Sequence, residues 1–175
     1  MTSVFAGLDP LSVTVLAAVT IQRLGELIYS RRNELMLRAS GAVEHGESHY
    51  PTMVAIHGAW LLGLWVFASS IRPDLAWLAM FAGLQLLRVW VLATLRRRWT
   101  TRIIVLPGEP LVVAGPYRLM PHPNYAVVAA EIFALPMAYG LVWYALLFSG
   151  LNGGILFVRI RAENEALSRS SAARC

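Results

Sequence analysis

The chemistry this chain could perform is concentrated in two short stretches. The first, GPYRLMPHPNY, runs from Gly115 to Tyr125 between apolar segments and packs three prolines, an arginine, a histidine and two tyrosines into eleven residues. Each proline biases the residue before it away from helix. A helix can therefore start only after Pro123, with His122 held just ahead of it and Asn124 as the expected cap. Helix N-termini attract anionic groups such as carboxylates, and Arg118 adds a cation. The plainer alternative is a stiff elbow at a membrane surface, with Tyr117 and Tyr125 as interfacial aromatics. The second stretch, RIRAENEAL, spans Arg159 to Leu167. Arg159 with Glu163 and Arg161 with Glu165 have i,i+4 spacing. They make either a salt-bridged face or carboxylates that await a cation.

Several further polar residues sit in apolar surroundings, where charge is expensive and turns toward the interior of a bundle. Arg23 and Glu26 are three apart, as are Gln85 and Arg88, and Glu131 follows later. They predict either an ion-pair lattice that locks helices or a polar wall around a ligand, in which Glu131 is a candidate proton-transfer group. His57 stands alone in an apolar run and reads as a packed, hydrogen-bonded residue. His45 and His49, with Glu44 and Glu47, fall in EHGESHYP. With no HExxH or similar ligand set, this segment reads as a solvated loop or a lid and no metal site is expected. In SGLNGG, Ser149 to Gly154, small residues allow close helix packing. Alternatively the glycines admit a ligand, one polar group of which Asn152 holds.

The elements that must position these residues are membrane helices. Of the 175 residues, 57% are apolar and only 14% charged, and mean hydropathy is +0.57; a soluble domain is about a quarter charged. All 15 basic residues are arginine. They cluster beside apolar runs, which suits membrane orientation rather than nucleic-acid binding. The lone cysteine, Cys175, forms neither an internal disulfide nor a prenylation box. Spans of about 20 apolar residues are expected from Pro10 to Tyr29, Thr52 to Ser70 and Leu75 to Leu95. Tyr125 to Gly140 and Leu141 to Val158 form a short C-terminal hairpin. This gives an all-α polytopic bundle of about five helices, one domain over residues 1–175. Arg31 to Ser40 could form a separate interfacial helix ending at Gly41. Twelve arginines fall after the first span, after the third and in the tail. By the positive-inside rule the N-terminus is outside and the C-terminus cytoplasmic.

In combination, G-P-Y-R, H-P-x-Y, a short hydrophobic hairpin and R-x-x-x-E resemble the isoprenylcysteine carboxyl methyltransferase family over roughly Leu106 to Leu167. The segments RLGELIYSRRNE, GAVEHGESHYP and RWTTRIIVLPG further resemble a bacterial branch encoded beside type III polyketide synthases, which methylates long-chain alkylpyrones or alkylresorcinols. The resemblance implies an integral membrane methyltransferase, in a bacterial inner membrane, that uses S-adenosylmethionine. The cofactor pocket would be cytoplasmic, within a core of about residues 103–167, and would come from helices rather than a Rossmann sheet. It places Gly115, Tyr117, His122, Pro123 and Tyr125 in the first cofactor motif and Arg159 and Glu163 in the second; Asn152, from the reading of SGLNGG, is a further candidate contact. His122, Arg118 and Glu131 are the candidate catalytic residues, and for a phenolic acceptor the general base is open among Glu131, His57 and a motif histidine. The implied partners are the lipid bilayer, a lipophilic acceptor and a functional link to a type III polyketide synthase. A prenylcysteine carboxylate, a phospholipid amine, or a scaffold without catalysis are the rival readings. The chain departs from the family pattern at Pro121, where arginine is usual, and at Asn164, where a second glutamate is usual.

Overall fold

The computed structural model describes residues 7–172; Cys175 lies outside the described residues. The chain is an all-α polytopic membrane bundle. Its helices are α1 (Pro10–Ala39), α2 (Tyr50–Ala68), α3 (Leu75–Leu95), α4 (Pro123–Ala138) and α5 (Val142–Ala172). Two three-residue strands, β1 (Val43–His45) and β2 (Ile103–Val105), pair antiparallel with Glu44 opposite Ile104. Short 3-10 turns cover Glu47–His49, Arg96–Arg98 and Gly115–Arg118.

Local chemistry sets the helix starts. Asp9 caps α1 by accepting from the Ser12 N–H, and Asp74 caps α3 by accepting from the Ala76 and Trp77 N–H groups, as short acidic residues do at these positions. Pro123 opens α4, where its missing N–H costs nothing. Among the described residues, four helices are long and apolar enough to cross a membrane: α1, α2, α3 and α5. The fifth, α4, has 16 residues and falls short of the roughly 20 that a full span needs.

Two expectations are corrected. Arg31 to Ser40 is not a separate interfacial helix, because α1 runs unbroken for 30 residues to Ala39. At 1.5 Å per residue that is about 45 Å, longer than the hydrocarbon layer of about 30 Å. The segment EHGESHYP is not a plain loop either, since it supplies β1 and a 3-10 turn.

The bundle has two distinct ends. At one, Asp9 N–H donates to the Ser69 carbonyl (2.9 Å), Asp74 N–H donates to the Ala138 carbonyl (2.7 Å) and the Ser12 hydroxyl donates to the Ile71 carbonyl. The other end gathers the arginine-rich segments. There Glu44 pairs with Arg38 and with Arg102 (2.5 Å), and Glu34 pairs with Arg31 (2.9 Å) and Arg38 (3.1 Å). The Glu44 hydrogen bond holds the Arg102 guanidinium above its ordinary pKa despite opposing desolvation. Asn33, fully buried, donates to the carbonyls of Arg96 (3.1 Å) and Trp99 (2.8 Å) and so anchors the chain as it leaves α3.

Polarity is turned inside out, as a bilayer requires. Ile21, Ile28, Leu62, Val66, Leu86, Trp143 and Phe157 are exposed, whereas Glu26, Arg88, Glu131, Asn152 and Arg159 are buried. The apolar core of Leu16, Trp60, Leu64, Phe81, Ile132 and Leu135 joins α1 through α4. Beside it lies a charge lattice. Arg88 grips Glu26 with two bonds of 2.5 Å and reaches Glu131 at 2.9 Å. Arg23 bonds to Glu26 (3.1 Å) and Glu131 (2.8 Å). Gln22 donates to Glu26 and Gln85, and Gln85 donates to Glu131 at 2.9 Å. Two cations meet two anions, so the cluster is neutral and fixes α1, α3 and α4 to one another.

Removing one partner from a buried pair strands the other and costs about 3–5 kcal/mol. Arg88→Leu should therefore lower the thermal unfolding midpoint in detergent sharply. Arg88→Lys, which keeps the charge but loses the fork, should fall in between. A wild-type midpoint for Arg88→Leu would show that the lattice is not what holds the three helices.

Candidate active site

The two sequence stretches meet at the arginine-rich end. Gly115 makes the turn possible. Its φ is +54°, and a Cβ built there would lie 2.5 Å from Thr94 Oγ1 and 3.2 Å from Trp90 Nε1. Only glycine accepts both the left-handed backbone and the close approach to α3. From that turn the chain passes Tyr117 and Arg118 and enters α4 at Pro123. The helix cap is His122, not Asn124 as expected. His122 makes no side-chain capping bond, and Asn124 instead accepts from Trp99 Nε1 at 3.4 Å. Trp99 itself stacks on Tyr29 of α1.

Across from this turn stands α5. Asn152, Arg159 and Glu163 are spaced i, i+7 and i+11, which puts all three on one helix face. They lie about 10 and 16 Å apart along the axis from Asn152. His122 bridges to this face: its Nε2 donates to Asn164 Oδ1 at 3.0 Å, and its Nδ1 lies 3.7 Å from Glu163 Oε2. Tyr125 stacks on His122 with ring centroids 5.6 Å apart. The Arg159 guanidinium carbon lies 5.9 Å from the other member of this stack, the Tyr125 ring. The Tyr117 phenol also feels Glu163, and burial first, then that carboxylate, pushes its pKa well above the ordinary value. His122, Tyr125, Arg159 and Glu163 thus form a continuous string from α4 to α5, with Tyr117 beside it.

The expected i,i+4 pairs are replaced by these contacts. Among the described residues, neither Arg159–Glu163 nor Arg161–Glu165 is an ion pair. Arg159 is buried and donates through Nη2 to the Thr101 carbonyl at 2.8 Å, while its Nε is buried without a partner. Asn152 Oδ1 is likewise buried and unpartnered. Close helix packing does not explain the glycines around Asn152, since a Cβ built at Gly150, Gly153 or Gly154 would meet nothing within 4 Å.

Other predicted residues fall elsewhere. Arg118 is exposed at the end of its turn. Pro123 is buried as the first residue of α4. Glu131 lies eight residues into α4, about 12 Å from its start, with both carboxylate oxygens engaged by Arg23, Arg88 and Gln85. His57 Nδ1 donates to the Met53 carbonyl at 2.8 Å, the hydrogen-bonded state expected of it. Two residues of this neighbourhood were not among the site residues expected from sequence. Asn164 is the hydrogen-bond partner of His122 at the very position that departs from the motif. Thr101 carries the carbonyl that holds Arg159, and nothing in its sequence setting signals that contact.

The string combines a carboxylate, an imidazole, an aromatic face and a buried guanidinium at a membrane-facing helix hairpin. Residues 77–169, covering most of α3, the turn, α4 and most of α5, match the isoprenylcysteine carboxyl methyltransferase (ICMT) family. The chain belongs to the isoprenylcysteine carboxyl methyltransferase family. Two bacterial relatives extend the likeness over almost the whole chain. The uncharacterized protein YpbQ of Bacillus subtilis (strain 168) is 41% identical over 162 residues, covering 90% of this chain and 96% of the relative. An uncharacterized protein of Haemophilus influenzae is 27% identical over 161 residues, covering 87% and 92% respectively. No solved structure matches this chain. The family makes this an integral membrane methyltransferase, and the matched residues contain the whole His122–Glu163 string.

Gly115→Ala should lower the thermal midpoint, since a left-handed backbone costs a non-glycine residue about 1–3 kcal/mol and the Thr94 clash adds to that. Combining it with Thr94→Ala should recover the clash but not the backbone part. An unchanged midpoint for Gly115→Ala would mean that the turn is not held as described.

Proposed function

We propose that the protein is an S-adenosylmethionine-dependent O-methyltransferase of a long-chain, membrane-dissolved acceptor such as an alkylpyrone or alkylresorcinol. The observation that carries this is the convergence of His122, Tyr125, Arg159 and Glu163 from α4 and α5 beside uncovered helix surface. The cofactor has three polar features: a sulfonium, an ammonium and a carboxylate. The residues present fit them. Glu163 suits the ammonium. The uncapped start of α4 suits the carboxylate, with His122 and Arg118 at that end. Tyr117 and Tyr125 offer aromatic faces to a sulfonium. Asn152 Oδ1 and Arg159 Nε, both buried and unpartnered, leave polar capacity that a ligand would satisfy. Gly115 and Pro123 shape the turn that places these groups.

When bound, the cofactor supplies an electrophilic methyl group whose bonding pair stays on sulfur as a neutral thioether. Transfer is an in-line displacement, for which alignment and exclusion of water supply most of the rate. The apolar tail of the acceptor lies against the open flank of α5 at Gly150, Gly153 and Gly154, while its oxygen meets the polar face. The core formed by residues 103–167 does this work within a single unit. With eleven of the described arginines at one end, that end faces the cytoplasm of a bacterial inner membrane, where a type III polyketide synthase would deliver such acceptors.

Binding of S-adenosylmethionine to the detergent-purified protein tests the reading. Saturable wild-type binding, weakened about tenfold or more by Glu163→Ala and by His122→Ala, is expected from loss of charge-assisted contacts. A folded wild type that binds no S-adenosylmethionine overturns it. Topology has its own check: Cys175, the single cysteine, should react with a membrane-impermeant maleimide in inverted vesicles and not in intact cells. The opposite pattern would reverse the orientation.

A further inference from the structure

His49 belongs to a segment with no assigned role, yet its surroundings call for a ligand. Both of its ring nitrogens are buried without a hydrogen-bond partner. An unmade buried bond is costly, and native structures rarely leave one without a reason. The ring also packs closely on its own turn. Gly46 has φ +65°, and a Cβ built there would fall 2.1 Å from His49 Nε2, so a larger residue at 46 would displace the imidazole from this place.

The place adjoins the string already described. The 3-10 turn that carries His49 packs against α5. Its neighbour Tyr50 is hydroxyl-bonded to Thr101 Oγ1 at 3.2 Å, and the Thr101 carbonyl accepts from Arg159 at 2.8 Å. His49 lies within electrostatic reach of Arg159. The Arg159 Nε–H is a second buried, unpartnered polar group close to this segment. A neutral imidazole offers one nitrogen lone pair and one N–H, and the guanidinium offers an N–H and a positive charge.

We propose that His49 and Arg159 together bind the acceptor's hydroxyl group, and that His49 takes its proton as the methyl is transferred. This rests on the methyltransferase reading above and narrows it to acceptors with a phenolic or enolic hydroxyl. A hydroxyl can donate to the imidazole lone pair and accept from the Arg159 N–H at once. A carboxylate brings no proton for the imidazole, and an ammonium would be repelled by Arg159. In the step, the O–H bond breaks and its proton moves to the His49 ring nitrogen. The oxygen pair forms the new bond to the methyl carbon, and the carbon–sulfur pair remains on sulfur. The resulting imidazolium returns its proton to solvent. The guanidinium opposes the negative charge that builds on oxygen.

The test uses the full chain in nanodiscs, a long-chain 5-alkylresorcinol and its dimethyl ether as probes. Without cofactor, wild type should bind the resorcinol about tenfold more tightly than the ether, and His49→Ala should erase that preference. With S-adenosylmethionine, His49→Gln should lower kcat about a hundredfold or more, in the range of a lost general base. It should also remove the rising limb of the kcat–pH profile. Affinity for S-adenosylmethionine should stay within about twofold of wild type, the change expected of a residue outside the cofactor's contacts. Retained kcat in His49→Gln, a preference that survives His49→Ala, or S-adenosylmethionine affinity that falls in step with kcat would each overturn the assignment. These results differ from failure of the underlying reading, in which wild type itself binds no S-adenosylmethionine.

Discussion

A charge cannot be left alone in a membrane interior, and this bundle depends on how it obeys that rule. Arg23 and Arg88 are matched by Glu26 and Glu131, with Gln22 and Gln85 filling the remaining hydrogen-bond sites. Lipid tails give helices little hydrophobic reason to associate. A neutral polar cluster supplies a directional one, and it fixes rotation and depth as well as contact. Because Glu131 must meet Arg88 and Arg23, α4 has a single register against α1 and α3. That register puts His122 and Tyr125 opposite Glu163 and Arg159.

The other half of the site is set at the arginine-rich end. There α1 and α5 are long enough to emerge from the hydrocarbon layer, and β1 and β2 tie the emerging segments together. Thr101, next to β2, is the meeting point. Its N–H donates to Ser30 of α1 at 2.8 Å, its hydroxyl bonds to Tyr50 of α2, and its carbonyl holds Arg159 of α5. One small residue therefore aligns three helices at the depth where the site lies. The buried face of α5 is then aimed by contacts at both levels.

Much of this was legible in the sequence. The third apolar run, Leu75 to Leu95, coincides with α3, because Asp74 caps one end and an arginine cluster stops the other. The prolines before Asn124 fixed where α4 begins, since they act locally. The lattice partners were visible as charges in apolar runs, although their cross-pairing between helices was not. Local spacing misled where tertiary contacts won. Arg159 and Glu163 have ideal i,i+4 spacing, but a free carbonyl on Thr101 and the imidazole of His122 claim them instead. Asn124 looked like a cap and was taken by Trp99. The role of EHGESHYP was hidden because β1 finds its partner about sixty residues later in the chain, a distance that sequence pattern does not bridge.

The length of α4 has a consequence for where the reaction would happen. Helices α3 and α4 lie antiparallel and are joined at one end by the Asp74–Ala138 hydrogen bond. From that shared level α3 rises through 21 residues and α4 through 16. The five-residue difference amounts to about 7 Å of helix. The mouth of the site is therefore sunk below the top of its neighbour, within the depth of a single leaflet. On the proposed function, a water-soluble cofactor would descend to meet a greasy acceptor, and the acceptor would never leave the oil. A short helix beside longer ones would in this way bring two immiscible reactants to a common depth.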